Sequence, residues 1–385
     1  MSGPLLTKGF EVEMFTGRRD GAVVGCAAEA AQSLEGFVTE PDNRNLEYTT
    51  PPDADYQRQL IHLLEPRQRL RSWLARRDLT LLPGSTLSLG DSAQFVRSNP
   101  DNPYHDSIER LYGTKVVTAS VHINLGMRAM EPLFAGLRLM RCEGALLLAL
   151  SASSPFLDGR VTGAQSQRWL QFPLTPPEVP LFTSHAHYIQ WMREQLALGS
   201  MLNVRHLWTS VRPNGDRRPE SLNRLEIRIC DLISDPRVLL ALTAWAELRL
   251  LRMMGEPQRL DPLEVSGLTP AELATLADRN DREAARHGLN ATLLHWRSGE
   301  GVLARDWVAE ELEAMAPLAE TLALEEVLQP LNEVLALGSE SMRWLDRQRA
   351  GEPIERIVAT EAMAMEARDG ALWAGLATDH APSLG

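Results

Sequence analysis

The sequence predicts an α+β protein: an antiparallel sheet body over residues 1–255, with a helical part over 256–385 packed onto it as one compact unit. Three observations lead there. Four short segments alternate apolar and polar residues with the period of a half-buried strand. Past about residue 232 the apolar spacing becomes helical and the composition rich in Ala, Leu and Glu. The polar faces of the four strands carry glutamate, histidine and arginine but no lysine, although Glu and Asn are poor strand formers.

The first strand is "KGFEVEMF" (8–15). Phe10, Val12 and Met14 point one way, and Glu11 and Glu13 share the other side. In "RNLEYTTP" (44–51), Asn45, Glu47 and Thr49 oppose Leu46 and Tyr48. In "VVTASVHINLG" (116–126), Thr118, Ser120, His122 and Asn124 oppose a row of Val, Ala, Ile and Leu. In "RLEIRICD" (224–231), Arg224, Glu226 and Arg228 oppose Leu225, Ile227 and Ile229. Gly, Pro, Asn and Asp mark 98–106, 172–180 and 212–221 as loops, so Tyr104 and His105 in "NPYHD" are expected in a Pro-rich turn. The stretch "PRVLLALTAWAELRLLRMM" is a helix with Trp245 in its core face. "TPAELATLADRNDREAARHG" is a second, opened by Thr269, Pro270 and Glu272 and closed by Gly288. The helices are expected to cover the apolar face of the sheet.

The 385 residues suffice for a sizeable core. A formal charge of −12 disfavours a general nucleic-acid or anionic-membrane binder, since both need clustered Lys and Arg. Cys26, Cys142 and Cys230 lack CxxC or zinc spacing and cannot all pair, so they are expected to be reduced packing residues of a cytoplasmic protein. The first residues show no basic segment followed by an apolar core. The longest apolar run, "GALLLALSA", falls short of the ~20 residues that span a bilayer.

If the four strands share a sheet, several carboxylates and an imidazole crowd one surface. Like charges near 4 Å repel by about 1–4 kcal/mol per pair, so such a cluster needs protons or cations. Oxygen-rich donors with one imidazole select a hard divalent ion, Mg²⁺ by default where phosphates complete its shell, and Mn²⁺ can substitute. No H-E-x-x-H, EF-hand loop, P-loop, kinase loop set or G-x-S-x-G occurs. The residues alone therefore point to Mg²⁺-dependent phosphoryl or nucleotide chemistry on an antiparallel sheet.

Six ordered stretches narrow this. They are "GFEVEMF", "EPDNRNLEYTTPP", "SVHINLG", "LALSASSPFLDGRVTGAQSQR", "VRPNG" and "LEIRICD". Together they resemble the glutamate–cysteine ligases, in their cyanobacterial-type branch among the carboxylate–amine ligases. The resemblance implies a glutamine-synthetase-like fold, with a catalytic concave sheet face and helices on the other face. It implies ATP as phosphoryl donor, Mg²⁺ as metal, and L-glutamate and L-cysteine as the joined substrates. Carried over by motif, Glu11, Glu13, Glu40, Glu47, His122 and Glu226 take metal-ligand positions. Glu226 and Arg228 stand at the catalytic centre, with Arg228 at the transferred phosphoryl group. Arg168 and Arg212 take substrate- or cofactor-binding places. A ligase of the same fold using another amine, and a two-metal phosphohydrolase, are the competing readings.

Overall fold

The structure, a computed structural model, describes residues 5–379. The chain opens with β1 (Lys8–Gly17), β2 (Phe37–Thr39), β3 (Asn45–Thr49), β4 (Thr80–Leu82) and β5 (Val121–Gly126). A short hairpin follows, β6 (Phe156–Leu157) with β7 (Arg160–Val161), and then β8 (Val211–Asn214) and β9 (Arg224–Ile227). A last hairpin, β10 (Thr292–Leu294) with β11 (Gly301–Leu303), lies within the helical part. The main sheet is antiparallel, in the order β2–β3–β1–β5–β9–β8, with β4 pairing β1 beside this path.

Three details differ from the sequence reading. The third polar strand begins at Val121; Gly113–Val116 is a 3₁₀ turn that leads into it. Residues 212–221 are not wholly a loop, because Arg212 and Pro213 lie in β8. Pro213 is tolerated there because β8 closes the strand order at an edge, where a missing N–H breaks no ladder. "NPYHD" is not a plain turn either. Pro103 occupies the first helical position, and Asn102 accepts the Tyr104 N–H at 2.9 Å, so Tyr104 and His105 begin a helix.

The helices that precede the body's end are α1 (Ala27–Ser33), α2 (Tyr56–Ala75), α3 (Pro103–Tyr112), α4 (Met130–Ser151), α5 (Gln167–Gln171) and α6 (His185–Leu198). Beyond the sheet come α7 (Pro236–Gly255), α8 (Pro257–Leu260), α9 (Pro262–Val265) and α10 (Pro270–His287). The chain ends in α11 (Ala304–Thr321), α12 (Glu325–Leu337), α13 (Glu340–Arg349) and α14 (Ile354–Asp379). In α10 Thr269 and Glu272 form the reciprocal capping box, with Pro270 at the first position.

The apolar strand faces pack with α4 into one core. Phe10, Val12, Ile123, Leu125, Leu225 and Ile227 are buried against Leu146, Leu147 and Leu150. Each such side chain contributes roughly 1.5–3 kcal/mol by leaving water. The helix α4 is buried along almost its whole length, because α7 and α10 cover the sides that the sheet leaves open. The C-terminal helices are tied in by charge as well as by apolar contact. Asp369 of α14 is fully buried and meets Arg71 at 3.0 Å and Arg67 at 3.4 Å, both on α2. Among the described residues no helix is long and apolar enough to cross a membrane.

Candidate active site

The register of the sheet decides what meets on its polar face. Glu13 lies opposite Glu47, Glu11 opposite His122, Asn124 opposite Glu226, and Arg212 opposite Glu226 on its other side. Side chains directly opposite one another share a face, so alternation within each strand becomes a single polar surface across them. Glu40, immediately after β2, joins the same patch, and Glu13, Glu40 and Glu47 bring carboxylate oxygens within 4.8 Å of one another. Glu11, His122 and Glu226 form a second group with the same spacing.

The two groups differ in charge balance. In the second, His122 Nδ1 lies 2.8 Å from Glu11 Oε2 and 3.7 Å from Glu226 Oε1. Glu226 is fully buried and accepts from Arg212 Nε at 2.7 Å, Arg212 Nη2 at 3.0 Å, Asn214 Nδ2 at 2.6 Å and Arg228 Nη1 at 2.5 Å. Burial opposes its charge, but Arg212 and Arg228 outweigh burial and hold the carboxyl well below the usual range. Burial and Glu226 also press Glu11 upward, yet His122 and Arg228 keep it below its ordinary value.

In the first group burial wins over a weaker counterweight, the pull of His122 and Arg168 on Glu13 and of Arg228 on Glu40. Burial, and then Glu40, push Glu13 up. Burial raises Glu40, and burial followed by Glu40 pushes Glu47 up to about 11. Glu40 and Glu47 lie near enough that a proton kept by one can be shared with the other. Ser120 steadies the edge of this group, donating to Glu13 Oε2 at 2.9 Å and lying 3.1 Å from His122 Nε2.

The three arginines of the site are engaged differently. Arg168 and Arg212, expected to bind cofactor or substrate, line the site, with their terminal nitrogens engaged within the protein. Arg168 donates to the Ile229 and Arg228 carbonyls, both at 3.0 Å. Arg212 pairs with Glu226 and gives Nη1 to the carbonyls of Arg205 and Leu207. Neither has a fork free to offer a planar anion. Arg228 does: its Nη1 meets Glu226 and His122, while Nε and Nη2 make no hydrogen bond among the described residues.

Two cavities open onto this face. One, of about 480 Å³, is floored by Glu11, Glu13, Glu40, Glu47, His122 and Arg228 and walled by Tyr104, Phe172 and Trp208. The other, of about 780 Å³, has Leu5, Leu6, Phe10 and Pro52 along its walls and Arg128 and Arg224 among its polar groups. Glu11 lines both, so the acidic patch stands where they meet. Ser120 and Asn124 were legible as members of the polar face by alternation. Asn214 and Asp231 were not, because their partners come from register and from distant loops.

An antiparallel sheet with acids and arginines gathered on one face, and helices on the other, defines the fold of the carboxylate–amine ligases. The chain has that fold. It superposes on a bifunctional glutathione synthetase from Pasteurella multocida with a TM-score of 0.73 at 15% identity, over 94% of this chain and 52% of that one. It superposes on a glutamate–cysteine ligase from Francisella tularensis, solved in complex with AMP, with a TM-score of 0.70 at 13% identity, over 100% and 97% of the two chains. The chain thus spans about half the length of the Pasteurella synthetase.

Sequence takes the assignment one step further. The model of glutamate–cysteine ligase family 2 matches residues 7–360, and the chain belongs to that family of ligases. A relative from Leifsonia xyli is 28% identical over 280 residues, covering 71% of this chain and 70% of its own. One from Thermobifida fusca is 28% identical over 276 residues, covering 71% and 66%. Both carry the name glutamate–cysteine ligase 2 as a provisional assignment.

Proposed function

We propose that the protein joins the γ-carboxylate of L-glutamate to the amine of L-cysteine, using ATP and Mg²⁺ and passing through γ-glutamyl phosphate. Products are γ-glutamylcysteine, ADP and phosphate. The observation that carries this reading is the meeting of two cavities at an acidic patch that also holds an unengaged arginine fork, in a chain of this family. The AMP in the Francisella ligase supports a nucleotide site.

The donor set fits Mg²⁺. Carboxylates whose burial outweighs the cations near them, held up toward protonation, are the chemistry a hard divalent ion satisfies. Glu13, Glu40 and Glu47 would hold one ion, and Glu11 and His122 another. Glu226 fits least as a direct ligand, because four donors already take its lone pairs. Mg²⁺ held there supplies charge neutralisation as the γ-phosphoryl leaves ATP.

A free carboxylate is a poor acyl donor, since its leaving group would be oxide; phosphorylation supplies a better one. The protein's own groups arrange that exchange. Arg228, held by Glu226, presents Nε and Nη2 to the transferred phosphoryl oxygens. Arg212 keeps Glu226 ionised, and so keeps Arg228 in place. The larger cavity, with its leucine and proline walls and Arg128, which pairs with none of the described residues, suits a nucleotide base and sugar. The smaller, acid-floored cavity suits the amino acids.

The test supplies ATP, Mg²⁺ and glutamate, then cysteine or a panel of other amines, and follows ADP and product. The expected result is ADP release coupled one-to-one to γ-glutamylcysteine. ADP release indifferent to every amine would overturn the ligase reading in favour of a phosphohydrolase. Faster coupling to another amine would replace cysteine alone.

A further inference from the structure

Arg228 lies one residue beyond β9, past the last paired position of the strand. Its peptide groups are held by other contacts. Its N–H donates to the Ser210 carbonyl at 2.8 Å, and its C=O accepts from Arg168 Nη2 at 3.0 Å. The second nitrogen of the same fork, Nη1, takes the next carbonyl, that of Ile229. Arg168 is 2% exposed, so this clamp works without competition from water.

The clamp is itself held from below by Asp231, which is fully buried. Asp231 Oδ2 accepts from the Ser153 N–H at 2.9 Å and from Ser154 Oγ at 2.7 Å; Oδ1 accepts from Ser166 Oγ at 2.8 Å. Ser154 Oγ in turn accepts the Arg168 N–H at 3.1 Å, and Ser166 caps α5, the short helix that carries Arg168. Arg168 Nη1 stands 3.9 Å from Asp231 Oδ1. A buried carboxylate is costly unless its acceptors are filled, and a hydrophobic residue would pack as well, so packing does not explain an aspartate here. The serines and Arg168 belong to one stretch, 153–168, and Asp231 is three residues along from Arg228. Asp231 therefore couples that stretch to the position of the site arginine.

We propose that Asp231, acting through Ser154, Ser166 and the Arg168 fork, is a positioning residue that sets where Arg228 presents its free nitrogens. The inference rests on the reading of Arg228 given above, as the group facing the transferred phosphoryl. It assigns Arg168 to the same clamp, with no direct hold on substrate.

A double-mutant cycle tests it on the full chain. Asp231→Asn is expected to lower kcat by about 10- to 100-fold, the effect of a small misplacement at a reacting centre, with KM for ATP and glutamate held within about twofold. In an Arg228→Lys background the same change should cost less than about twofold, because a residue acting only through Arg228 has nothing left to position. A multiplicative loss in that background, or a raised KM at unchanged kcat, overturns the proposal. Arg228→Lys at the wild-type rate would instead sink the reading of Arg228 itself. Should Asp231→Asn not fold, Ser166→Ala removes one donor and takes its place in the cycle. A readout independent of turnover uses arginine-labelled protein without nucleotide or metal. The Arg228 Nε–H resonance should move in Asp231→Asn while distant arginine signals stay, and an unmoved resonance counts against the clamp.

Discussion

The two acidic groups share a sheet face and a glutamate-rich composition, yet their electrostatics are opposite. Around Glu226, Arg212 and Arg228 bring enough positive charge to keep a fully buried carboxylate ionised. Around Glu13, Glu40 and Glu47 the pull of Arg168, His122 and Arg228 does not match the burial, which drives all three toward protonation. On the reading proposed above, Glu226 is matched within the polypeptide, whereas Glu13, Glu40 and Glu47 would be completed by a divalent ion from solution. A site that would both hold an arginine ready and admit a divalent ion benefits from that division.

Identical substitutions should therefore have opposite consequences in the two places. Glu226→Gln removes the charge that neutralises two buried arginines and is expected to cost about 3–5 kcal/mol of stability along with turnover. Urea unfolding measures it, and a variant as stable as the parent would show that Arg212 and Arg228 find other partners. Glu47→Gln instead puts a neutral amide where burial and Glu40 already hold the carboxyl toward protonation. It is expected to reduce turnover by about 10³-fold while leaving the metal-free protein at least as stable as before. A clear loss of Tm in metal-free Glu47→Gln would erase the distinction between the groups.

Metal linkage sharpens the same contrast at a smaller scale. A ligand that binds only the folded state stabilises it by about 2.7 kcal/mol at one hundred times its Kd. Mg²⁺ should raise the Tm of the parent, and Glu47→Gln should lose most of that rise. Asp369→Asn, which alters a buried ion pair far along the chain, should keep it. Calorimetry with and without Mg²⁺ checks all three, and an equal rise in Glu47→Gln would remove Glu47 from the ion's donors.

Much of this face was legible in the sequence because strand alternation is local. It placed Glu11 with Glu13, His122 with Ser120 and Asn124, and Glu226 with Arg228, and the structure keeps each of these pairs together. The capping residues of α10 were legible for the same reason, since Thr269 and Glu272 are only a turn apart. Register was not legible. Nothing near Glu13 in the chain says that Glu47 lies opposite, so the division into a balanced and an unbalanced group could not be seen. How each arginine is engaged was not legible for a related reason. Whether a guanidinium faces a ligand or a carbonyl depends on contacts such as Arg168 to Ile229, some sixty residues apart. Pro213 hid the edge strand β8, because proline and its polar neighbours signal a turn and say nothing of sheet edges.

A third buried carboxylate extends the comparison away from the site. Asp281 of α10 faces Arg141 from α4, Asp278 and Arg282 from its own helix, and Ser210 from the segment before β8, and its Oδ1 has no hydrogen-bond partner. Burial pushes it up to about 8 against the pull of Arg141. An unfolded aspartate titrates near 3.9. Between those values the folded chain holds a proton that the unfolded chain has released, so stability must fall as pH rises through that window and level off above it. The slope from one such group is at most about 1.4 kcal/mol per pH unit. Asp281→Asn keeps an acceptor for Ser210 and removes the titration. Its stability relative to the parent should therefore grow by about 1 kcal/mol from pH 6 to pH 7 and stop growing above about pH 8. Mg²⁺ should leave that difference untouched, since Asp281 lies outside both metal-competent groups. A difference that stays flat with pH would mean Asp281 is already ionised and matched by Arg141, like Glu226. A difference that Mg²⁺ abolishes would tie it to the acidic patch on the far face of the sheet.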